Sequence, residues 1–247
     1  MKKVVLITGG ARGLGRTITE TLANNDYIVV VNYNSSKSRA IEFEKELEKQ
    51  KCEYMFIKAD VSNEQQVKNM ITQIINKYGR IDILINNSAI TNDSLFQDKT
   101  SESFLKVLNT NLVGAFNVSK LVGNIMYQNK YGKIINISST NGINTYFPMC
   151  LEYDASKAGL ISLTHNLAIQ FAPYVNVNAV APGFIATESE VDGMDEEILR
   201  QESEKSLLKR AGSEQDVANL VKFLASDESS YINNEVIRID GGLYGNV

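Results

Sequence analysis

The sequence holds no tryptophan, one histidine (His165), two cysteines (Cys52 and Cys150) and three prolines among 247 residues. Each shortage removes a class of chemistry. A single histidine excludes zinc sites built on several imidazoles, and it excludes HExxH metalloprotease chemistry. It leaves no Ser-His-Asp triad unless His165 itself serves, and no serine stands in a GxSxG elbow. His165 is therefore read as a helix-surface residue. Cys52 and Cys150 are far apart and form no CxxC, which suits a reducing compartment better than a disulfide scaffold. No stretch approaches the ~18 consecutive apolar residues of a bilayer-spanning helix. Met1-Lys2-Lys3 carries the charge of a signal peptide, but the apolar run behind it, Val4 to Ile7, is short and ends in a glycine pair. The expectation is a cytoplasmic protein without a membrane. An excess of one charge sign is also missing. With 25 basic and 29 acidic residues the net charge is −4, and no basic cluster offers a nucleic-acid surface.

What is present is apolar residue in short runs. They make up 43% of the chain, too much for disorder and enough for a sizeable core. Val4 to Ile7, Tyr27 to Val31, Tyr54 to Ile57, Ile81 to Ile85, Lys133 to Ile137, Val175 to Val180 and Val236 to Ile239 read as strands. Several are continuously apolar, as strands covered on both faces are. Helical patterns fill 14–25, 37–51, 63–78, 101–128, 152–172 and 214–225. This alternation predicts α/β architecture: one Rossmann-type doubly wound domain over 1–247, with a seven-stranded, mostly parallel sheet and helices on both faces. The charge run EFEKELEKQK, 42–51, mixes signs at helical spacing and reads as a solvated face. The least patterned stretch, about 184–212, reads as a lid over the site.

Strand one runs into Thr8-Gly9-Gly10-Ala11-Arg12-Gly13-Leu14-Gly15, with a helix to follow. Glycines here let backbone N–H groups approach a phosphate at a helix N-terminus. Two motifs compete with an ordinary structural turn. GARGLGRT, Gly10 to Thr17, nearly matches the P-loop, but Arg16 stands where that motif needs lysine. The position between the first strand and the first helix favours dinucleotide binding. An NAD enzyme places an acid at the end of strand two, for the ribose 2′-OH. Here that end is Val31-Asn32-Tyr33-Asn34-Ser35-Ser36-Lys37, with no acid to repel a 2′-phosphate. Arg12 is placed to pair with one, and Asn32, Ser35 and Lys37 can add donors. NADP(H) is thus favoured over NAD(H).

Tyr153-Asp154-Ala155-Ser156-Lys157 is a YxxxK pattern. On a helix the two side chains share a face, so hydroxyl and ammonium can point into one cleft. A free tyrosine, with a pKa near 10, is a poor acid–base catalyst at neutral pH, and a neighbouring cation favours its phenolate. Alone, the pattern is most often an amphipathic helix surface. It does not stand alone. IINISS ends a strand at Ser138 and Ser139, Asn86-Asn87-Ser88-Ala89 ends another, Asn111 lies in the following helix, and Asn178 to Gly183 follows the sixth strand. All but Asn111 fall at or near carboxyl ends of strands, where open α/β sheets bind ligands.

With these residues the chain resembles the classical short-chain dehydrogenase/reductase family from Lys3 to Tyr244, and within it most resembles the β-ketoacyl-acyl-carrier-protein reductases of fatty acid biosynthesis. VVNYNSS, DVSN at Asp60, IDILINN, PGFIAT and FLASDESSYI with IDGG carry that likeness. The resemblance implies a catalytic set of Asn111, Ser139, Tyr153 and Lys157. Its implied cofactor set is Gly9, Arg12, Gly13, Leu14, Gly15, Asn32, Ser35, Asp60, Val61, Asn86, Ser88, Tyr153, Lys157, Pro182, Gly183, Ile185 and Thr187. No metal enters. NADPH would deliver hydride to a carbonyl carbon, Tyr153 would protonate the oxygen, Ser139 would polarise it, Lys157 would assist the proton transfer and grip the nicotinamide ribose, and Asn111 would anchor a water. The implied substrate is an acyl thioester, with acyl carrier protein as a partner, in a homotetramer whose interface uses 101–128 and 152–172. A sugar, polyol or other small alcohol is the alternative substrate, and a dinucleotide sensor without turnover the distant alternative.

The chain departs from that pattern in places. Ser88-Ala89 replaces the usual Ala-Gly. The Ser139–Tyr153 segment is longer and more aromatic, with Tyr146 and Phe147. Pro173-Tyr174 lacks the usual basic residue for an acidic carrier, and leaves Lys130 as the candidate contact at the cleft mouth.

Overall fold

The computed structural model describes residues 2–23, 26–50, 52–187, 192 and 194–243. Seven strands are β1 (Lys3–Ile7), β2 (Tyr27–Tyr33), β3 (Glu53–Lys58), β4 (Ile83–Asn86), β5 (Gly132–Ile137), β6 (Val175–Pro182) and β7 (Val236–Ile239). They form one sheet in the order β3-β2-β1-β4-β5-β6-β7, and every neighbouring pair is parallel. The helices are α1 (Gly13–Leu22), α2 (Lys37–Glu48), α3 (Glu64–Tyr78), α4 (Ser101–Leu108), α5 (Gly114–Gln128), α6 (Leu151–Gln170), α7 (Glu196–Glu204) and α8 (Glu214–Ala225).

The continuous apolar strands are buried on both faces, and successive side chains feed opposite layers. Leu6, Leu84, Ile134 and Val177 face a layer with Val67 and Met70 of α3, Val122 of α5 and Leu167 of α6. Val5, Ile7, Ile83, Ile85 and Ile135 face the other, with Ile18 of α1, Phe43 of α2 and Val221 of α8. Each fully buried Leu or Ile stabilises the fold by about 1.5–3 kcal/mol. Strand order reverses between β1 and β4, so the connections leaving these two strands diverge. That opens a crevice at the carboxyl edge of the sheet, the usual ligand position in such sheets.

The expected helix 101–128 is three pieces. A π-helical turn, Asn109–Val113, separates α4 from α5. Leu112 and Val113 keep the apolar pattern running through it, so side-chain periodicity hides the change of backbone register. The stretch expected as an unpatterned lid, 184–212, contains α7, and the chain enters and leaves it through a bridge between Ile185 and Gly212. Residues 188–191 and 193 of that stretch, the ends of the expected helices at 24–25 and 51, and Tyr244 at the end of the family likeness lie outside the described residues. Among the described residues no helix is long and apolar enough to cross a membrane.

Candidate active site

The glycine loop closes over β1 and opens α1. Gly9 and Gly13 have φ of +63° and +50°, a left-handed conformation that glycine adopts without steric cost. Gly15 is needed for closeness instead: a Cβ there would stand 2.2 Å from the Gly9 carbonyl oxygen. Thr8 and Asn87 hold the loop against β4. Thr8 Oγ1 accepts from the backbone N–H groups of Asn87 and Ser88 at 3.0 and 3.1 Å. Asn87 Nδ2 donates to the carbonyls of Thr8 and Gly9 at 3.1 and 3.2 Å. Sequence reasoning passed over Asn87, although it stands beside the chosen Asn86. Arg12 occupies the N-cap of α1 without a side-chain cap bond, and the first turn holds no acid. No side chain caps the N-terminal donors of this helix, although Glu214 of α8 reaches the flank of the turn through Thr17 Oγ1 at 2.6 Å, and uncapped donors at a helix N-terminus fit a dinucleotide pyrophosphate.

Arg12, Ser35 and Lys37 are exposed beside this cradle. Asn32, expected to donate to a 2′-phosphate, is buried. Its amide donates to the Ala59 carbonyl at 2.9 Å, and its Oδ1 accepts from Gly9 N–H at 3.4 Å. It staples the loop to the end of β3 and has no donor left for a ligand. Asn86 is buried likewise under the edge, and its amide donates to Ser119 Oγ and Asn136 Oδ1, both at 2.8 Å. Asp60 Oδ1 is occupied by the N–H and hydroxyl of Ser62 at 2.9 and 2.6 Å. Val61 is buried, its carbonyl held by Asn117 Nδ2 at 3.0 Å. Arg16, the P-loop candidate, turns to α2, where it pairs with Glu46 at 2.5 Å and lies over the Phe43 ring. It leaves no cation for a P-loop.

β5 delivers Ser138 and Ser139 to the same edge. Ser138 Oγ donates to the Lys157 carbonyl at 2.9 Å. The 3-10 turn after Ser139, Thr140–Gly142, packs so closely on α6 that a Cβ on Gly142 would meet the Lys157 carbonyl carbon at 2.6 Å. Ser139, half-buried, caps that turn through its hydroxyl, which accepts from Asn141 N–H at 3.2 Å. Tyr153 and Lys157 lie on α6 as the spacing requires, the ammonium 5.2 Å from the Tyr153 ring centroid. Lys157 is 3% exposed, and its Nζ donates to the Ile137 carbonyl at 2.7 Å. Burial pushes its ammonium down to about 8, because a charge removed from water is disfavoured.

Asn111 sits in the π-helical turn. Its Nδ2 donates to the Ile90 carbonyl and to Ser156 Oγ, both at 3.0 Å, and its Oδ1 accepts from Ile90 N–H at 2.9 Å. The side chain ties the segment after β4 to α6, so a water held here would have to use the backbone. Pro182 ends β6, and Gly183 N–H donates to the Ile239 carbonyl at 3.0 Å. Ile185 is buried, and Thr187 stands at the lid entrance. Lys130 does not lie at the mouth of this chain's cleft. It precedes β5, a strand's length from Ser139, and its ammonium is 5.9 Å from the Tyr174 ring centroid. Sequence reasoning also missed the acids beside Tyr153: Glu152, bonded to Asn92 and Lys99, and Asp154, bonded to Asn141 and Phe147.

Residues 9–244 match the family model described as Enoyl-(Acyl carrier protein) reductase. A 3-oxoacyl-[acyl-carrier-protein] reductase FabG of Staphylococcus epidermidis is 38% identical over 245 residues, 99% of this chain and all of the relative. The protein of that name from Thermotoga maritima is 39% identical over 98% of this chain and 97% of its own length. Among solved structures, that of gox2181 superimposes with a TM-score of 0.91 at 30% identity, over 97% of this chain and 95% of the other. A putative gluconate dehydrogenase from Agrobacterium tumefaciens superimposes with a TM-score of 0.91 at 27% identity, over 97% and 94%.

Proposed function

The chain belongs to the short-chain dehydrogenase/reductase family, a group of oxidoreductases acting on CH–OH and carbonyl groups, and we propose that its own reaction is the NADPH-dependent reduction of a 3-oxoacyl thioester to the 3-hydroxyacyl form. One observation supports this reading: Ser138 and the turn after Ser139 pack on the Lys157 backbone, and the Lys157 ammonium lies 5.2 Å from the Tyr153 ring centroid. The full-length likeness to 3-oxoacyl-[acyl-carrier-protein] reductases supplies the substrate class.

The family uses a nicotinamide dinucleotide, which supplies a hydride to the carbonyl carbon when bound. Gly9, Gly13, Leu14 and Gly15 would cradle its pyrophosphate, with Ser88, Asp60, Val61, Pro182, Gly183, Ile185 and Thr187 along its length. Arg12, Ser35 and Lys37 would hold a 2′-phosphate. Ser139 would donate to the substrate oxygen, and Tyr153 would give that oxygen its proton. The positive field of Lys157 stabilises the phenolate left behind. Asn111 holds the segment after β4 against α6. Acid catalysis of this kind is worth about 10²–10⁴-fold. The protein is read as one domain over 1–247, cytoplasmic, with 184–212 as its lid. Acyl carrier protein is the carrier the relatives' names point to, and a homotetramer the assembly the family likeness implies.

The test follows NADPH oxidation with acetoacetyl-carrier protein and acetoacetyl-CoA, beside NADP+ reduction with sugar acids and polyols. Thioester turnover is expected. The second reading, oxidation of a small sugar-like alcohol, is favoured by the superposition on the putative gluconate dehydrogenase, and prevails if only those alcohols react.

A further inference from the structure

We propose that Glu152 and Asp154, the carboxylates on either side of Tyr153, are positioning residues that set substrate specificity by fixing two apolar walls of the cleft relative to the reacting hydroxyl. The inference rests on the reductase reading above. Consecutive helical residues fan out by about 100° each, so the neighbours of Tyr153 leave α6 on opposite flanks. Each grips a different segment. Glu152 is fully buried and accepts from Asn92 Nδ2 and Lys99 Nζ, both at 2.9 Å. Lys99 Nζ also donates to the Asn92 carbonyl at 2.8 Å. The Lys99 side chain is 6% exposed, so the ion pair is sealed from water. Asp154 accepts from Asn141 Nδ2 at 2.7 Å and from Phe147 N–H at 2.9 Å. A third contact joins the same parts, Cys150 Sγ to Asp93 Oδ1 at 2.7 Å.

The two gripped segments follow the carboxyl ends of β4 and β5 and carry exposed apolar side chains. Leu95 and Phe96 are 59% and 72% exposed on one, and Tyr146 and Phe147 are 77% and 49% exposed on the other. Exposed apolar side chains around a cleft are where the apolar part of a ligand finds its contact. A buried ion pair is a weak source of stability, because desolvation consumes most of the attraction. What it does impose is one arrangement of the parts it joins. Here the parts are a wall and the helical turn bearing the reacting hydroxyl. A long or bulky acyl chain would touch both walls while its carbonyl meets Tyr153. A short chain would touch neither, so it would be insensitive to the clamps.

The experiment compares wild type with Asp154→Ala, Asp154→Asn, Glu152→Gln and the neutral pair Lys99→Met/Glu152→Gln. Hydrogen exchange is read at 90–99 and 141–147. Kinetics are taken with acetoacetyl-CoA against 3-oxododecanoyl-CoA and, in parallel, with ethyl acetoacetate against ethyl benzoylacetate. Asp154→Ala is expected to speed exchange at 141–147 alone and to lower the large-to-small kcat/KM ratio about tenfold, through KM. Asp154→Asn should recover part of that ratio. Glu152→Gln should act in the same way at 90–99, and the neutral pair should recover relative to it. Asp154 is half-buried, so its variants carry the test even where Glu152→Gln does not fold. Unchanged exchange overturns the clamps. Faster exchange with an unchanged ratio, or an equal fall in kcat on every substrate, overturns their role in specificity. A wild type that reduces the esters and neither thioester ends the thioester reading, and the ester ratio then tests the clamps by itself.

Discussion

Two lysines are buried along β5, one near each end, and they differ in everything but burial. Lys133 and Lys157 are each 3% exposed, and burial pushes both ammonium groups down. Lys133, near the start of the strand, donates to Ser229 Oγ at 3.0 Å and lies in the field of Asp227, which also pairs with Lys3 at 2.8 Å. It belongs to a closed polar cluster. Lys157 donates to the carbonyl at the other end of β5 and lies over the face of Tyr153, and burial is what pushes it down. Burial of a cation is therefore no mark of function by itself. The mark is a buried cation whose surroundings leave it under-compensated at a cleft that opens to solvent.

The largest expected effect tests the partner of the under-compensated lysine. Tyr153→Phe keeps the ring under the Lys157 ammonium and removes the transferable proton. Turnover should fall on the order of 10²–10⁴-fold, chiefly in kcat, with NADPH affinity retained. A kcat near wild type would take Tyr153 out of the reaction.

Lys157 itself sharpens the contrast through pH. Its ammonium is about 8 in the folded protein against an ordinary 10.5. Between those values the unfolded chain holds a proton that the folded chain has released. Stability from this group therefore rises with pH across the window, by up to about 3 kcal/mol, and is flat below pH 8. Lys157→Met should abolish that rise, as denaturant unfolding of cofactor-free wild type and variant between pH 7.5 and 10 would record. Parallel curves would mean that the ammonium is not penalised by burial.

Arg12 tests the exposed side of the same edge. Arg12→Ala should weaken NADPH about 10- to 100-fold, the worth of a charged hydrogen bond, and leave NADH nearly unchanged. Fluorescence titration of both cofactors separates the two. Equal losses would assign Arg12 to the shared pyrophosphate and reopen the preference for NADPH.

The same contrast explains what could be read in advance. Strands such as Val4 to Ile7 and Val175 to Val180 announce themselves because both faces are apolar, and the loop glycines because few other residues fit there. Ser139, Tyr153 and Lys157 were legible as a combination at strand ends and helical spacing. The side chains of Asn32 and Asn86 turn down into the layer, which position at a strand end does not reveal. Glu152 and Asp154 look like ordinary first-turn acids on a helix N-terminus, since their partners Lys99, Asn92 and Asn141 are remote in sequence. The lysine at 130 precedes β5, at the end away from Ser139, and only the strand direction shows it.

The smallest expected effect decides whether the comparison holds from its other side. Lys133→Met removes a buried cation of similar length and leaves Ser229 Oγ its bonds to the Leu224 and Ser226 carbonyls at 2.8 and 3.0 Å. Ser229 Oγ loses the donor it accepts from, and the desolvation that pushes the ammonium down is relieved, so the two effects oppose each other. Stability should stay within about 1 kcal/mol of wild type. kcat and KM should stay within about twofold, because the length of β5 separates this residue from Ser139 and Tyr153. Steady-state kinetics beside thermal unfolding would check both. A loss of kcat on the scale expected of Tyr153→Phe, in a variant that unfolds like wild type, would show that the two ends of β5 are coupled and that the closed cluster serves the site.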